Sequence, residues 1–73
     1  MTPTIQLLRA AARTTPRSTL PAAAAEIAHR RGVDVVTCQR FVALDHRLDT
    51  SERLPTATEL ATLGALAREI EAR

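Results

Sequence analysis

Lysine, tryptophan and tyrosine are absent from this chain, and cysteine, phenylalanine and methionine occur once each. A single cysteine, Cys38, can neither close an internal disulfide nor supply a zinc site. A small core without cross-links is expected to work in a reducing cytoplasm. No stretch approaches the roughly 20 apolar residues of a membrane span, so no membrane partner is expected. Arg9 and Arg13 interrupt the apolar stretch around Leu7 and Ala12, which leaves no signal-peptide core. Catalytic groupings are missing too, whether Ser/His/Asp, Cys/His or a phosphate-binding loop. His29 and His46 stand 17 positions apart with no cysteine pair, so no metal site is expected. Cys38 reads as a small core residue and not as a nucleophile. The sequence therefore gives no reason to expect an enzyme, a cofactor or a small-molecule substrate.

What remains is an ordinary globular composition, 45% hydrophobic and 25% charged, unlike a disordered tail. At 73 residues the chain is a single domain, and one of this size buries only about 60% of its unfolded surface. A deep private pocket is hard to build at that length. A binding module that self-associates is the better expectation. All ten basic residues are arginine, and they are unevenly spread. Residues 1–47 carry seven arginines against three carboxylates, a net +4, whereas residues 48–73 carry three against five, a net −2. A basic front with an acidic rear suits a polyanion that meets one part of the chain.

Periodicity and punctuation predict a compact all-α bundle of about four helices. Thr2 is expected to cap a first helix with Pro3 in its first turn, and Ile5, Leu8 and Ala12 repeat at helical spacing. Residues 14–18 break it, because Pro16 disfavours helix at Thr15. A second helix begins near Thr19-Leu20-Pro21 and runs through the alanines to Arg31, ending at Gly32. Asp34 is expected to cap a third helix from about Val35 to Arg47. A polar connection covers 49–55, and Thr56 with Glu59 forms a capping box. The last helix is then placed at about 57–72.

Residues 24–42 carry the most information. Ala28 is small where two helices would cross, and Gly32 stands where a turn needs positive φ. Ile27, Val33, Cys38 and Phe41 occupy positions that would face a shared core. Thr37-Cys38-Gln39-Arg40 follows the turn glycine at a fixed spacing. This segment resembles a helix-turn-helix DNA-binding motif, with the motif at about 22–44. The flanking helices and the Arg53-Leu54-Pro55-Thr56 connection are most similar to the Cro/phage-repressor class. Three positions depart from that pattern. Arg31 replaces a small or apolar residue, Cys38 a β-branched one, and Asp34 a common serine. The region after Arg47 has no β-prone aromatic stretch to make the wing of a MerR-type relative.

The resemblance implies a sequence-specific regulator whose third helix enters the major groove of double-stranded DNA. It assigns DNA contacts to Val35, Val36, Thr37, Gln39 and Arg40, with Arg30 and Arg31 at backbone phosphates. Leu60, Leu63, Leu66 and Ile70 form a narrow apolar seam, expected either as core or as the contact of a homodimer on a palindromic site. An alternative of a different class is a small helical interaction module, of antitoxin, docking or adaptor type, that presents the Leu-rich last helix to a partner.

Overall fold

Four α-helices make up the architecture: α1 (Thr4–Thr14), α2 (Leu20–Arg31), α3 (Val35–Thr50) and α4 (Ala57–Glu71). They are seen in a computed structural model that describes residues 2–72. Among the described residues there is no strand, and no helix is long and apolar enough to cross a membrane. The fold is the all-α bundle of four helices expected from the sequence.

The helix ends follow local chemistry, with two departures from expectation. Thr2 does not cap α1. Pro3 takes the cap position with extended backbone and no side-chain bond, and its carbonyl accepts from the Gln6 and Leu7 amides. A distant group supplies the missing acceptor, because Glu71 Oε1 accepts from the Ile5 amide at 3.2 Å. That carboxylate also complements the positive end of the α1 dipole. The second departure is the length of α3, which runs three residues beyond Arg47 to Thr50. Leu48 packs against the core, Asp49 pairs with Arg13 at 3.5 Å, and the Thr50 hydroxyl donates to the carbonyls of His46 and Arg47. These contacts hold a segment whose composition alone reads as a loop.

The other ends form as expected. Gly32 sits in the left-handed region (φ 66°, ψ 34°). Its amide reaches the His29 carbonyl, and the Val33 amide donates to Ala28 at 3.0 Å. These two bonds together close a Schellman turn. Asp34 caps α3 by accepting from the Thr37 amide at 2.9 Å. At α4, the Thr56 hydroxyl and the Glu59 carboxylate exchange bonds with each other's backbone amides.

Phe41, Cys38 and Val42 of α3 are fully buried with Leu8 of α1, Ala24 and Ala28 of α2, and Ile70 of α4. α3 is the hub: it packs on all three other helices, α1 also touches α2 and α4, and α2 and α4 stay apart. Ala24 and Ala28 have no exposed surface, so small side chains fill the buried face of α2. One polar residue enters this centre. Asp45 is only 5% exposed, and its Oδ2 has no hydrogen-bond partner among the described residues.

The two glycines should respond oppositely to alanine. At Gly32 the obstacle is backbone conformation alone, because an added Cβ would meet nothing within 4 Å. Gly32→Ala is expected to destabilise by about 1–2 kcal/mol, the cost of a left-handed residue with a side chain. Gly64 lies inside α4, and its Cβ would also meet nothing, so Gly64→Ala should stabilise by about 0.8–1.0 kcal/mol through helix propensity. Thermal and urea unfolding followed by circular dichroism would check both. Midpoints that moved in the same direction would contradict the assignment.

Candidate nucleic-acid interface

At about 100° per residue, α3 divides cleanly into a buried and an open face. Leu44, Leu48, Phe41, Asp45, Cys38 and Val42 turn inward. Val36, Arg40, Ala43 and Arg47 form an exposed stripe at four-, three- and four-residue steps. Gln39 and Thr50 flank that stripe. The expected site residues do not all join it. Val36 is 52% exposed and lies on it with Arg40. Val35, by contrast, is half-buried and packs against the core. Thr37 is turned towards the cap, where its hydroxyl donates to Asp34 Oδ2 at 2.9 Å.

Gln39 is held by the neighbouring helix. Its Nε2 donates to the Pro21 carbonyl at 3.1 Å, so the amide group is held against the first turn of α2. Arg30 and Arg31 sit at the opposite end of α2. Arg30 pairs with Glu26 at 2.6 Å along the same helix, and Arg31 donates to the Thr2 carbonyl at 2.8 Å. They border a small depression of about 210 Å³ with Leu7 and Ile27, and neither lines the groove that Arg40 borders.

Two further arginines join the α3 stripe that the motif did not assign. Arg47 continues it two helical turns beyond Arg40, and alternating four- and three-residue steps along α3 from Val36 would have found it. Arg17 arrives from the α1–α2 turn, closed by a Thr19 amide bond to the Pro16 carbonyl; no periodicity signals its position. Arg17, Arg40 and Arg47 border one groove of about 800 Å³ between the start of α2 and the start of α4. Glu59 is the carboxylate in that lining. It is already engaged by Arg53, bidentate at 2.9 Å through both guanidinium nitrogens, and by the Thr56 amide. Arg47 approaches it more loosely, at 3.7 Å. The groove is thus rimmed by cations whose charge is only partly met.

The seam expected on α4 is divided. Leu63 and Ile70 are buried in the domain's own core, and Leu66 and Ala67 are half-buried against it. Leu60 is 53% exposed, and Leu54 in the preceding connection is 89% exposed. Leu63 and Ile70 therefore serve the monomer and offer nothing to a second copy. Cys38 lies inside the α2–α3 contact, where burial first and the Asp34 charge second push its thiol pKa up. Among the described residues, no cluster of His, Cys, Asp or Glu could hold a metal ion. His46 Nδ1 lies 3.0 Å from the Ala12 carbonyl, a contact that ties α3 to α1.

No family model, curated protein or solved structure matches this chain.

The Arg53–Glu59 contact gives the connection before α4 a pH dependence of known sign. The hydrogen bonds from Arg53, then from the Thr56 amide, hold the Glu59 carboxyl pKa down from 4.5 to about 2. The folded form therefore keeps a carboxylate that the unfolded chain would protonate. Its contribution is complete above pH 4.5 and is lost as pH falls towards 2. The thermal midpoint of the wild type should drop across that window, and Glu59→Gln should show a lower midpoint at neutral pH with a flatter acid limb. An unchanged acid limb in the variant would assign the dependence to another group.

Proposed function

We propose that this chain is a sequence-specific DNA-binding regulator that lays the open stripe of α3 in the major groove of double-stranded DNA. It works in a bacterial or phage cytoplasm, as a homodimer, and it catalyses no reaction. The observation that carries this reading is the exposed row Val36–Arg40–Arg47 with Gln39 beside it, on a helix set against α2 by the Gly32 turn. A major groove about 12 Å wide admits one helix, and its base edges reward these side-chain types. Arginine can meet a guanine edge at two points. The fixed amide of Gln39 can accept from an adenine amino group, and Val36 can meet a thymine methyl. Arg47 and Arg17 stand further along the groove, where phosphates would pass. Arg30 and Arg31 would have to leave Glu26 and the Thr2 carbonyl to reach a phosphate.

A two-fold pair of protomers would supply the two half-sites that such docking uses. With Leu63 and Ile70 spent in the core, the apolar surface left for pairing on this side is Leu54 and Leu60. The mechanism at an operator is occlusion or recruitment, with α2 crossing the backbone and holding α3 in register.

Fluorescence anisotropy on promoter and random duplexes at two salt concentrations tests the reading. With two arginines, Arg17 and Arg47, at phosphates, the logarithm of affinity should fall with log salt at a slope of about −2 per protomer. Arg40→Ala should cost about 1–3 kcal/mol on the preferred site and relax preference at one base pair. Arg47→Ala should instead weaken all duplexes alike. Absence of binding to either duplex at low salt would remove the DNA reading.

A further inference from the structure

The groove beside α3 is more apolar than a nucleic-acid contact requires. Its open apolar lining is Pro21 of α2, Ala43 of α3 and the half-buried Leu66 of α4, with Leu20 and Val42 buried beneath them. Sugar and phosphate gain little from such a surface, whereas a partner's apolar side chains gain directly from leaving water. The groove also has a defined shape. α3 is packed by α1, α2 and α4, while α2 and α4 do not meet, so its remaining side forms an open slot. From Gln39 to Thr50 that slot is about 16 Å long at 1.5 Å per residue, roughly three helical turns. Helices seat against one another at about 8–10 Å between axes, so a fifth helix can lie on α3 between the two walls.

Charge selects the kind of helix. Arg17, Arg40 and Arg47 border the slot, all three exposed, and the Glu59 carboxylate among them is already bonded to Arg53 and the Thr56 amide. A docked segment with acidic residues flanking an apolar stripe would place opposite charges at the rim and its apolar side chains on the floor. We propose that this groove receives an acidic amphipathic helix of a partner protein, which lies along α3 between the starts of α2 and α4. Because Arg40, Gln39 and Arg47 line the slot, the occupant covers the face that the proposed DNA contact uses. Docking and DNA binding are then mutually exclusive. The surface differs from the Leu-rich face of α4, most of which is spent in the core. The docking proposal stands on the groove itself and does not depend on the DNA reading.

The test uses a blocked leucine–glutamate peptide of about four helical turns, with its leucine–lysine counterpart as control. Titrated into isotope-labelled full-length protein, the acidic peptide should bind saturably and shift the amides of Ala43, Thr62 and Leu66. The basic peptide should not. Thr62 is exposed on the α4 wall and contributes only a hydroxyl bond to the Thr58 carbonyl, so replacing it leaves the fold intact. Thr62→Glu should weaken the acidic peptide by about tenfold and Thr62→Lys should tighten it, through like and opposite charge at the wall. Both variants should keep the circular dichroism spectrum and thermal midpoint of the wild type. The acidic peptide should also displace a labelled duplex. Peptide binding with no duplex binding would sink the DNA reading and leave the docking groove standing. Failure of the acidic peptide to bind, equal binding of the basic peptide, or shifts centred on Leu60 and Ala61 would overturn the docking proposal.

Discussion

The left-handed turn at Gly32 fixes how α3 leaves α2, and the rest of the molecule is arranged around that departure. With the turn closed by bonds from Gly32 to His29 and from Val33 to Ala28, the chain reverses in three residues. Ala24 and Ala28 are then wholly buried on α2, which packs against α3 and α1. Cys38, Phe41 and Val42 follow inward at helical spacing, and the opposite side of α3 is left open. α1 and α4 complete the cover from the other directions. Their own ends are tied to each other by the Glu71 carboxylate on the Ile5 amide.

Features that depend on one to four neighbouring residues were legible in the sequence. The glycine turn, the Asp34 cap and the Thr56–Glu59 box each rest on local geometry, and each forms at its expected place. Features settled by distant contacts were not legible. Nothing near Thr2 indicates that Glu71, far along the chain, supplies the acceptor at the start of α1. The extra turn of α3 depends on Leu48 finding the core and Asp49 finding Arg13. The apolar spacing of Leu60, Leu63 and Ile70 identifies one helix face but cannot say whether its cover is the same chain or another. The structure assigns Leu63 and Ile70 to the same chain and leaves Leu60 outside. For the candidate site, the third helix and Arg40 could be placed from the motif. The half-burial of Val35 against the core and the place of Arg17 beside α3 both depend on packing that no helical period shows.

Arginine as the sole basic side chain matters for how the groove works. A guanidinium stays charged across the whole physiological range and offers a planar fork of donors. Arg53 spends that fork on Glu59, and Arg30 and Arg31 are engaged at the far end of α2. Arg40 lies exposed on the open side of α3, and Arg47 beside it makes only a loose 3.7 Å pair with Glu59. The division follows position: arginines near carboxylates or free carbonyls stabilise helix ends, while those on the open side of α3 are exposed. A modest overall charge of +2 therefore coexists with a locally cationic surface.

Asp45 adds a consequence for motion. Its carboxylate sits at the centre of the α3 contact face, and one oxygen has no hydrogen-bond partner among the described residues. Every excursion that parts α3 from the helices covering it lets water reach that oxygen and recovers solvation that the closed form forgoes. The same group therefore lowers the cost of local opening and raises the cost of tight closure. The middle of α3, enclosed by the other three helices, thus carries a group that gains solvation when the helix opens. Protection of its amides against exchange should therefore fall short of what burial alone would suggest.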